Sequence, residues 1–162
     1  MAVLVNPSDV ISDLMVRDAQ AAASVAGLGI VVLTASTPRE IDAAFASLVQ
    51  DRADALFVGP GAFFNARRVQ LVGLAAHHRI PSTYSARAYA EAGGLITYGT
   101  NQADMFRQVG SYAGRVLKGA KHADLPVVQS IKFELVINLN TARALGLTVP
   151  PSLLARADEV IE

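Results

Sequence analysis

Ala53-Asp54-Ala55-Leu56-Phe57-Val58-Gly59-Pro60-Gly61-Ala62-Phe63-Phe64-Asn65 is the stretch that decides the fold. Its apolar run, Ala55 to Val58, has the length and the flanks of a strand buried on both faces. The run stops at Gly59-Pro60-Gly61, then presents two aromatics and an Asn ahead of another helical pattern. Strands buried on both faces belong to parallel sheets covered by helices, and ligands of such sheets bind outside the carboxyl ends of the strands. A Gly-rich break carrying aromatics at that place is a candidate site. Phe63 and Phe64 also read as core residues lying over the sheet, since large aromatics are mostly buried.

Working outward, the same alternation repeats on both sides. Ala2 to Val5 is a short apolar run closed by Asn6-Pro7-Ser8, and residues 9 to 26 carry apolar groups at helical spacing up to Gly27 and Gly29. Ile30 to Ala35 reads as a second buried strand. Thr37, Pro38 and Glu40 then form a capping box with Pro at the first helical position, followed by Ile41, Ala44, Phe45, Leu48 and Val49 on one face. After the central stretch, residues 65 to 78 predict a helix with Leu71, Leu74 and Ala75 inward. Ile80 to Tyr84 and Leu95 to Tyr98 predict a fourth and a fifth strand, separated by a short helix over 86 to 92 that ends at Gly93-Gly94. Five strands alternating with helices imply an α/β fold with a doubly wound parallel five-stranded sheet, for which 2-1-3-4-5 is the natural first expectation of strand order.

Past Gly99 the pattern changes. Residues 102 to 118 predict a long helix with Asn101 as cap and Gly119 as stop. Ile131, Phe133, Leu135, Ile137 and Leu139 alternate with Lys132, Glu134, Val136, Asn138 and Asn140, a strand with one better-buried face. Thr141 to Leu145 reads as a short helix stopped by Gly146, and Val160-Ile161 as a last short strand. This tail reads as a structural unit different from residues 1 to 98.

Composition narrows the function. The chain has 162 residues, 52% of them hydrophobic and 17% charged, which suits one packed domain and excludes disorder. Fourteen basic residues balance fourteen acidic ones without a basic stripe, so neither nucleic acid nor an anionic membrane is the expected partner. With no Cys, disulfides and thiolate metal sites are excluded. The first residues do not read as a signal peptide, and no apolar run approaches the roughly 20 residues that span a bilayer.

Reactive constellations are not expected either. His77, His78 and His122 follow no strand, no Gly-x-Ser-x-Gly elbow exists, and adjacent His77-His78 point apart on a helix. Neither a catalytic residue, a metal site nor a cofactor is therefore predicted. There is no P-loop, and Phe64 stands where a dinucleotide fingerprint wants Gly. Asp54 precedes its strand, which speaks against a receiver domain. What remains near strand ends is Asn6, Ser8, Ser36, Phe63, Phe64, Asn65, Tyr84, Ser85 and Tyr98. Aromatic faces with neutral hydrogen-bonding groups suit a small organic molecule, although Ser and Asn also cap helices and Tyr also fills cores.

Ordered segments across the whole chain carry a family resemblance. They include Ile41-Asp42-Ala43-Ala44-Phe45, Arg52-Ala53-Asp54-Ala55-Leu56, Phe64-Asn65, Glu91-Ala92-Gly93-Gly94-Leu95 and Tyr98-Gly99. Leu117-Lys118-Gly119-Ala120-Lys121, Ala123-Asp124-Leu125-Pro126-Val127, Lys132-Phe133-Glu134-Leu135-Val136-Ile137-Asn138, Ala144-Leu145-Gly146-Leu147 and Arg156-Ala157-Asp158-Glu159-Val160-Ile161 continue them. The sequence resembles the substrate-binding proteins of ABC transporters, in the branch that includes tryptophan- and tyrosine-binding members. The resemblance implies two periplasmic binding protein-like lobes closing on a ligand, with no enzymatic activity. Residues 1–98 would form the second lobe, and residues 99–162 a return segment contributing a helix and strands to the first. It also implies that the N-terminal portion, with signal peptide and most of the first lobe, is absent from this chain.

Carried over by position, the loop Pro60 to Asn65, with Phe63, Phe64 and Asn65 on it, and the strand ends at Asn6, Ser8, Tyr84 and Ser85 would face the cleft, with Tyr98 near the hinge. The implied partners are a small amino-acid-like or aromatic solute and an ABC permease, in the periplasm. The alternative is a self-associating structural module without transport activity. Either way, a tail strand 131 to 139 lacking its sheet would present an open edge, and a homodimer is expected.

Overall fold

A computed structural model of the protein describes residues 1–127 and 132–162. It runs β1 (Ala2–Val5), α1 (Ser12–Val25), β2 (Val31–Thr34), α2 (Pro38–Gln50), β3 (Leu56–Val58), α3 (Ala62–Ala66), α4 (Arg68–His77), β4 (Ser82–Tyr84), α5 (Arg87–Glu91) and β5 (Ile96–Thr100). Then come α6 (Gln102–Leu117), a 3-10 turn (His122–Asp124), β6 (Phe133–Asn138), α7 (Leu139–Leu145), α8 (Pro151–Leu154) and β7 (Glu159–Ile161). Among the described residues no helix is long and apolar enough to cross a membrane.

The first five strands are parallel and stand in the order β2-β1-β3-β4-β5, the order expected from the sequence. All four residues of β1 are buried, which fits a central strand covered on both faces. β2 differs from the expected buried strand: Val31 is 41% exposed and Val32 36%. It is the sheet's terminal strand, and β-branched composition does not distinguish an edge from a centre.

Among the described residues the sheet has seven strands instead of five. β6 pairs antiparallel with β5, from Ile96↔Ile137 to Thr100↔Phe133, and β7 pairs parallel with β6. The tail strands therefore extend the sheet begun by residues 1–98. The apolar strand from which a homodimer was expected has neighbours on both sides, so it offers no open edge. Its burial also departs from strict alternation: Val136, Ile137 and Asn138 are all buried, while Phe133 is 48% exposed. The strand enters at the rim and runs inward, so depth overrides face. Ile131 lies outside the described residues.

Local signals set several helix ends. The Thr37 hydroxyl accepts from the Glu40 N–H at 3.3 Å, while the Glu40 carboxylate accepts from Ser36, one residue before the cap, through N–H at 2.7 Å and hydroxyl at 2.9 Å. These donors hold the Glu40 carboxyl below its usual range. Ile41, Ala44, Phe45 and Leu48 are buried on the sheet, each large side chain contributing about 1.5–3 kcal/mol, whereas Val49, expected inward, is half exposed. Asn101 caps α6 by accepting from the Asp104 N–H at 2.8 Å, and Gly146 ends α7 in the left-handed conformation at φ 73°. α6 itself buries none of its residues: Phe106, Val109 and Leu117 are exposed.

Candidate functional site

Because β3, β4 and β5 run parallel, their carboxyl ends share one edge of the sheet, and residues at or beyond those ends line an opening of about 540 Å3. Pro60, Gly61, Ala62 and Asn65, after β3, form one wall. Ser85, Ala86 and Tyr89, after β4, form the floor. Tyr98, Gly99 and Thr100 of β5, Gln102 and Met105 at the start of α6, and Phe133 of β6 close the far side. The volume is that of a small-molecule site.

The far wall is made by strand pairing. Thr100 faces Phe133 across the β5–β6 ladder, which places Tyr98 diagonal to Phe133 on the same side of the sheet. Their rings stack at 5.8 Å between centroids and 20° between planes, with Tyr98 61% and Phe133 48% exposed. An exposed aromatic pair lining a concavity is a ready surface for a flat ligand group. The floor rests on a second pair: Tyr89 stacks on the buried Tyr84 at 4.4 Å and 13°. Tyr84 shares a hydrogen bond of 2.7 Å with the Ser82 hydroxyl, and burial pushes its phenol up to about 12. Burial raises the Tyr89 phenol as well. Both floor hydroxyls are thus neutral at physiological pH.

β4 and β5 approach unusually closely at this floor. A Cβ on Gly99 would lie 1.8 Å from the Ser85 carbonyl oxygen. Only a residue with no side chain lets the Ser85 loop pack on β5 and so shape the opening.

Of the eight residues predicted for the site, Asn65, Ser85 and Tyr98 line the opening together. Tyr84 does not face it. Ser82 and Tyr84 alternate with Thr83 along β4, and their shared face points into the core. Phe64 is fully buried and Phe63 is packed against the core, because α3 starts at Ala62 and turns both rings toward the sheet. Between site and core, the structure places Phe64 in the core. Asn6 is 7% exposed and organises its own loop, its side-chain oxygen accepting from the Ser8 N–H and its carbonyl from the Ser12 hydroxyl. Ser8 is exposed on that loop, outside the opening's lining. Phe133, Thr100, Gln102, Met105 and Tyr89 are not among the residues the sequence singles out. The sequence reads Phe133 as one apolar position of a tail strand; its place depends on the β5–β6 register, for which the sequence carries no local signal.

A second groove, of about 590 Å3, runs along α6 between Val109, Tyr112, Val116, Leu125 and Pro126. It adjoins the first opening at Met105, which lines both.

A family profile described as ABC transporter substrate binding protein matches residues 1–161. The chain belongs to the ABC transporter substrate-binding protein family. Among solved structures, this substrate-binding protein is similar to an ABC domain in complex with L-Trp from Streptococcus pneumonia, at 31% identity and a TM-score of 0.86, over 99% of this chain and 54% of that one. It is also similar to the ligand-free, open structure of a substrate binding protein with adhesive properties from Clostridium difficile, at 25% identity and a TM-score of 0.70, over 99% of this chain and 53% of that one. A conserved domain protein from Vibrio cholerae shares the fold, at 22% identity and a TM-score of 0.84, over 98% of this chain and 53% of that one. The chain spans about half the length of these structures. No curated protein matches it.

Proposed function

We propose that the opening at the carboxyl edge of the sheet holds a small amino-acid-like or aromatic solute, and that the protein serves an ABC importer as its solute-binding component. The observation that carries this reading is the exposed Tyr98–Phe133 stack, which walls a cleft whose other groups, Asn65, Ser85, Thr100 and Gln102, are neutral hydrogen-bonding partners. Such a set grips without reacting. The L-Trp in the Streptococcus neighbour supports an aromatic amino acid as the first candidate. A periplasmic or extracellular location and an ABC permease partner follow from the family.

In the same reading, residues 1–98 together with β6 and β7 form one lobe. From residue 99 onward, α6 is the part that serves another lobe, which accounts for its lack of buried residues. The test is titration calorimetry of the chain with L-tryptophan, L-tyrosine and L-leucine, repeated on Tyr98→Ala and Phe133→Ala. Each substitution is expected to weaken binding of an aromatic probe by about 3- to 10-fold, the worth of one aromatic contact, with little change in stability. No heat with any of the three, or unchanged affinity in both variants, rejects the reading.

A second reading, a self-associating module without transport activity, is favoured by a different observation: the exposed Phe106, Val109 and Leu117 of α6. It places the homodimer contact on α6 instead of on the tail strand. Light scattering at micromolar concentration should then give twice the monomer mass, and Phe106→Ser should return it to one.

A further inference from the structure

The sheet ends in β2 on one side and β7 on the other, and the two edges are built differently. β7 is guarded as natural edges usually are: it is three residues long, carries Glu159 in the ion pair with Arg87, and is flanked by Asp158 and Glu162. β2 has none of these devices. Residues 28–37 contain neither a charge nor a proline, and Val31–Thr34 pair with β1 in unbroken register, so no bulge twists the edge away. Among the described residues neither helix nor loop covers it: Val31, Val32 and Thr34 are exposed.

The ladder fixes where the free backbone groups of this edge point. The N–H of Val31 donates to the Met1 carbonyl at 3.1 Å and that of Ala35 to the Val5 carbonyl at 3.0 Å, so Val31, Leu33 and Ala35 turn their backbone groups toward β1. By alternation Val32 and Thr34 turn theirs outward. The side chains of Val32 and Thr34 share the face on which α1 lies, and there they line a groove of about 500 Å3 with Val5, Val16, Asp13 and Arg17. Such an edge is its own complement. An identical strand laid antiparallel, with Leu33 on the two-fold axis, sets Val32 opposite Thr34 of the second copy and Thr34 opposite Val32. Each of these pairs exchanges both its hydrogen bonds, and β-branched side chains meet across them. Asp13 and Arg17 are opposite in sign, and neither makes an ion pair among the described residues, so an identical groove brings no excess of one charge.

We propose that the β2 edge is an interface between two copies of this chain, which join their sheets by antiparallel pairing of Val31–Thr34. A second copy is the occupant because the outward residues exchange places under the two-fold and the groove beside them carries one charge of each sign. The contact does not involve the residues that line the solute opening, so it stands independently of the solute site. It is also separate from the exposed face of α6.

Light scattering at micromolar concentration is expected to give twice the monomer mass for the chain and for Phe106→Ser, and the monomer mass for Val32→Lys, which sets a charge on the edge as guarded edges do. Circular dichroism checks the fold of each variant. A second measurement needs no variant: hydrogen exchange followed by NMR at the outward amides of Val32 and Thr34. Where about nine in ten chains are paired, both amides should exchange about tenfold more slowly than in dilute protein, since only the unpaired fraction opens to solvent. A monomer mass for the unsubstituted chain overturns the proposal. A dimer in which these two amides exchange as fast as in dilute protein overturns it too, as does one that survives in folded Val32→Lys or dissolves in Phe106→Ser, because each places the contact elsewhere.

Discussion

Gly99→Ala isolates the contact that shapes the cleft floor. The new Cβ would lie 1.8 Å from the Ser85 carbonyl oxygen and 2.8 Å from its carbon, where contacts under 3.0 Å are essentially never seen. Both partners are backbone, so no rotamer change relieves the overlap. The strand and the loop must separate by about 1.2 Å, the shortfall from that limit. β5 is held by β4 on one side and β6 on the other, and the Ser85 loop leads into α5 with its buried Tyr89. Overpacking of this kind costs about 1–3 kcal/mol, and each ladder hydrogen bond weakened adds about 1 kcal/mol. A total of about 3 kcal/mol, with a urea slope of about 2 kcal/mol/M, lowers the unfolding midpoint by roughly 1.5 M. Gly110→Ala is the control. Gly110 lies inside α6 with nothing within 4 Å of its would-be Cβ, and alanine there should stabilise by about 0.5–1 kcal/mol. A Gly99→Ala midpoint within about 0.25 M of the original, about 0.5 kcal/mol at that slope, would refute the reasoning.

Three further outcomes follow from the contacts described. Thr37→Ala removes the hydroxyl that accepts from Glu40 and should cost about 1 kcal/mol in urea denaturation. Tyr84→Phe leaves the buried Ser82 hydroxyl without its partner and should cost about 1 kcal/mol at neutral pH. The Tyr84 phenol is raised from 10.0 to about 12 by burial, so the fold favours its neutral form. That contribution is complete below pH 10 and disappears as pH rises to about 12; the variant should lose less stability over this window and lack one late tyrosinate step in ultraviolet absorbance. Arg87 on α5 holds Glu159 of β7 by two hydrogen bonds, at 2.6 and 2.7 Å, and lowers its carboxyl pKa. A depressed carboxyl contributes above its unfolded pKa of 4.5 and loses that contribution as pH falls through the lowered folded value. Glu159→Gln should thus be less stable than the original chain at neutral pH and equal to it in strong acid. Because the pair is well exposed, added salt should narrow the neutral-pH difference.

Residue patterns spanning a few positions determined the parallel core and its helix ends on their own. Runs such as Ala2–Val5 and Leu56–Val58 are apolar because both faces are covered; Thr37, Asn101 and Gly146 act on backbone groups within four residues; and the alternation of strands with helices makes the first five strands a parallel sheet. The sequence also supplied the loop from Pro60 to Asn65, along with Ser85 and Tyr98, since each follows or ends a recognisable strand. Which way a side chain turns was a different matter. Phe64 and Tyr84 look identical to ligand-facing aromatics until the start of α3 and the pleat of β4 point them into the core. Only tertiary structure decided that β6 joins β5 antiparallel, bringing Phe133 against Tyr98 from 35 positions along the chain, and that Asp9 packs against Gly61 beside β1. Pairings of such separation leave no periodicity in the sequence, because their register is fixed by packing summed over the whole sheet.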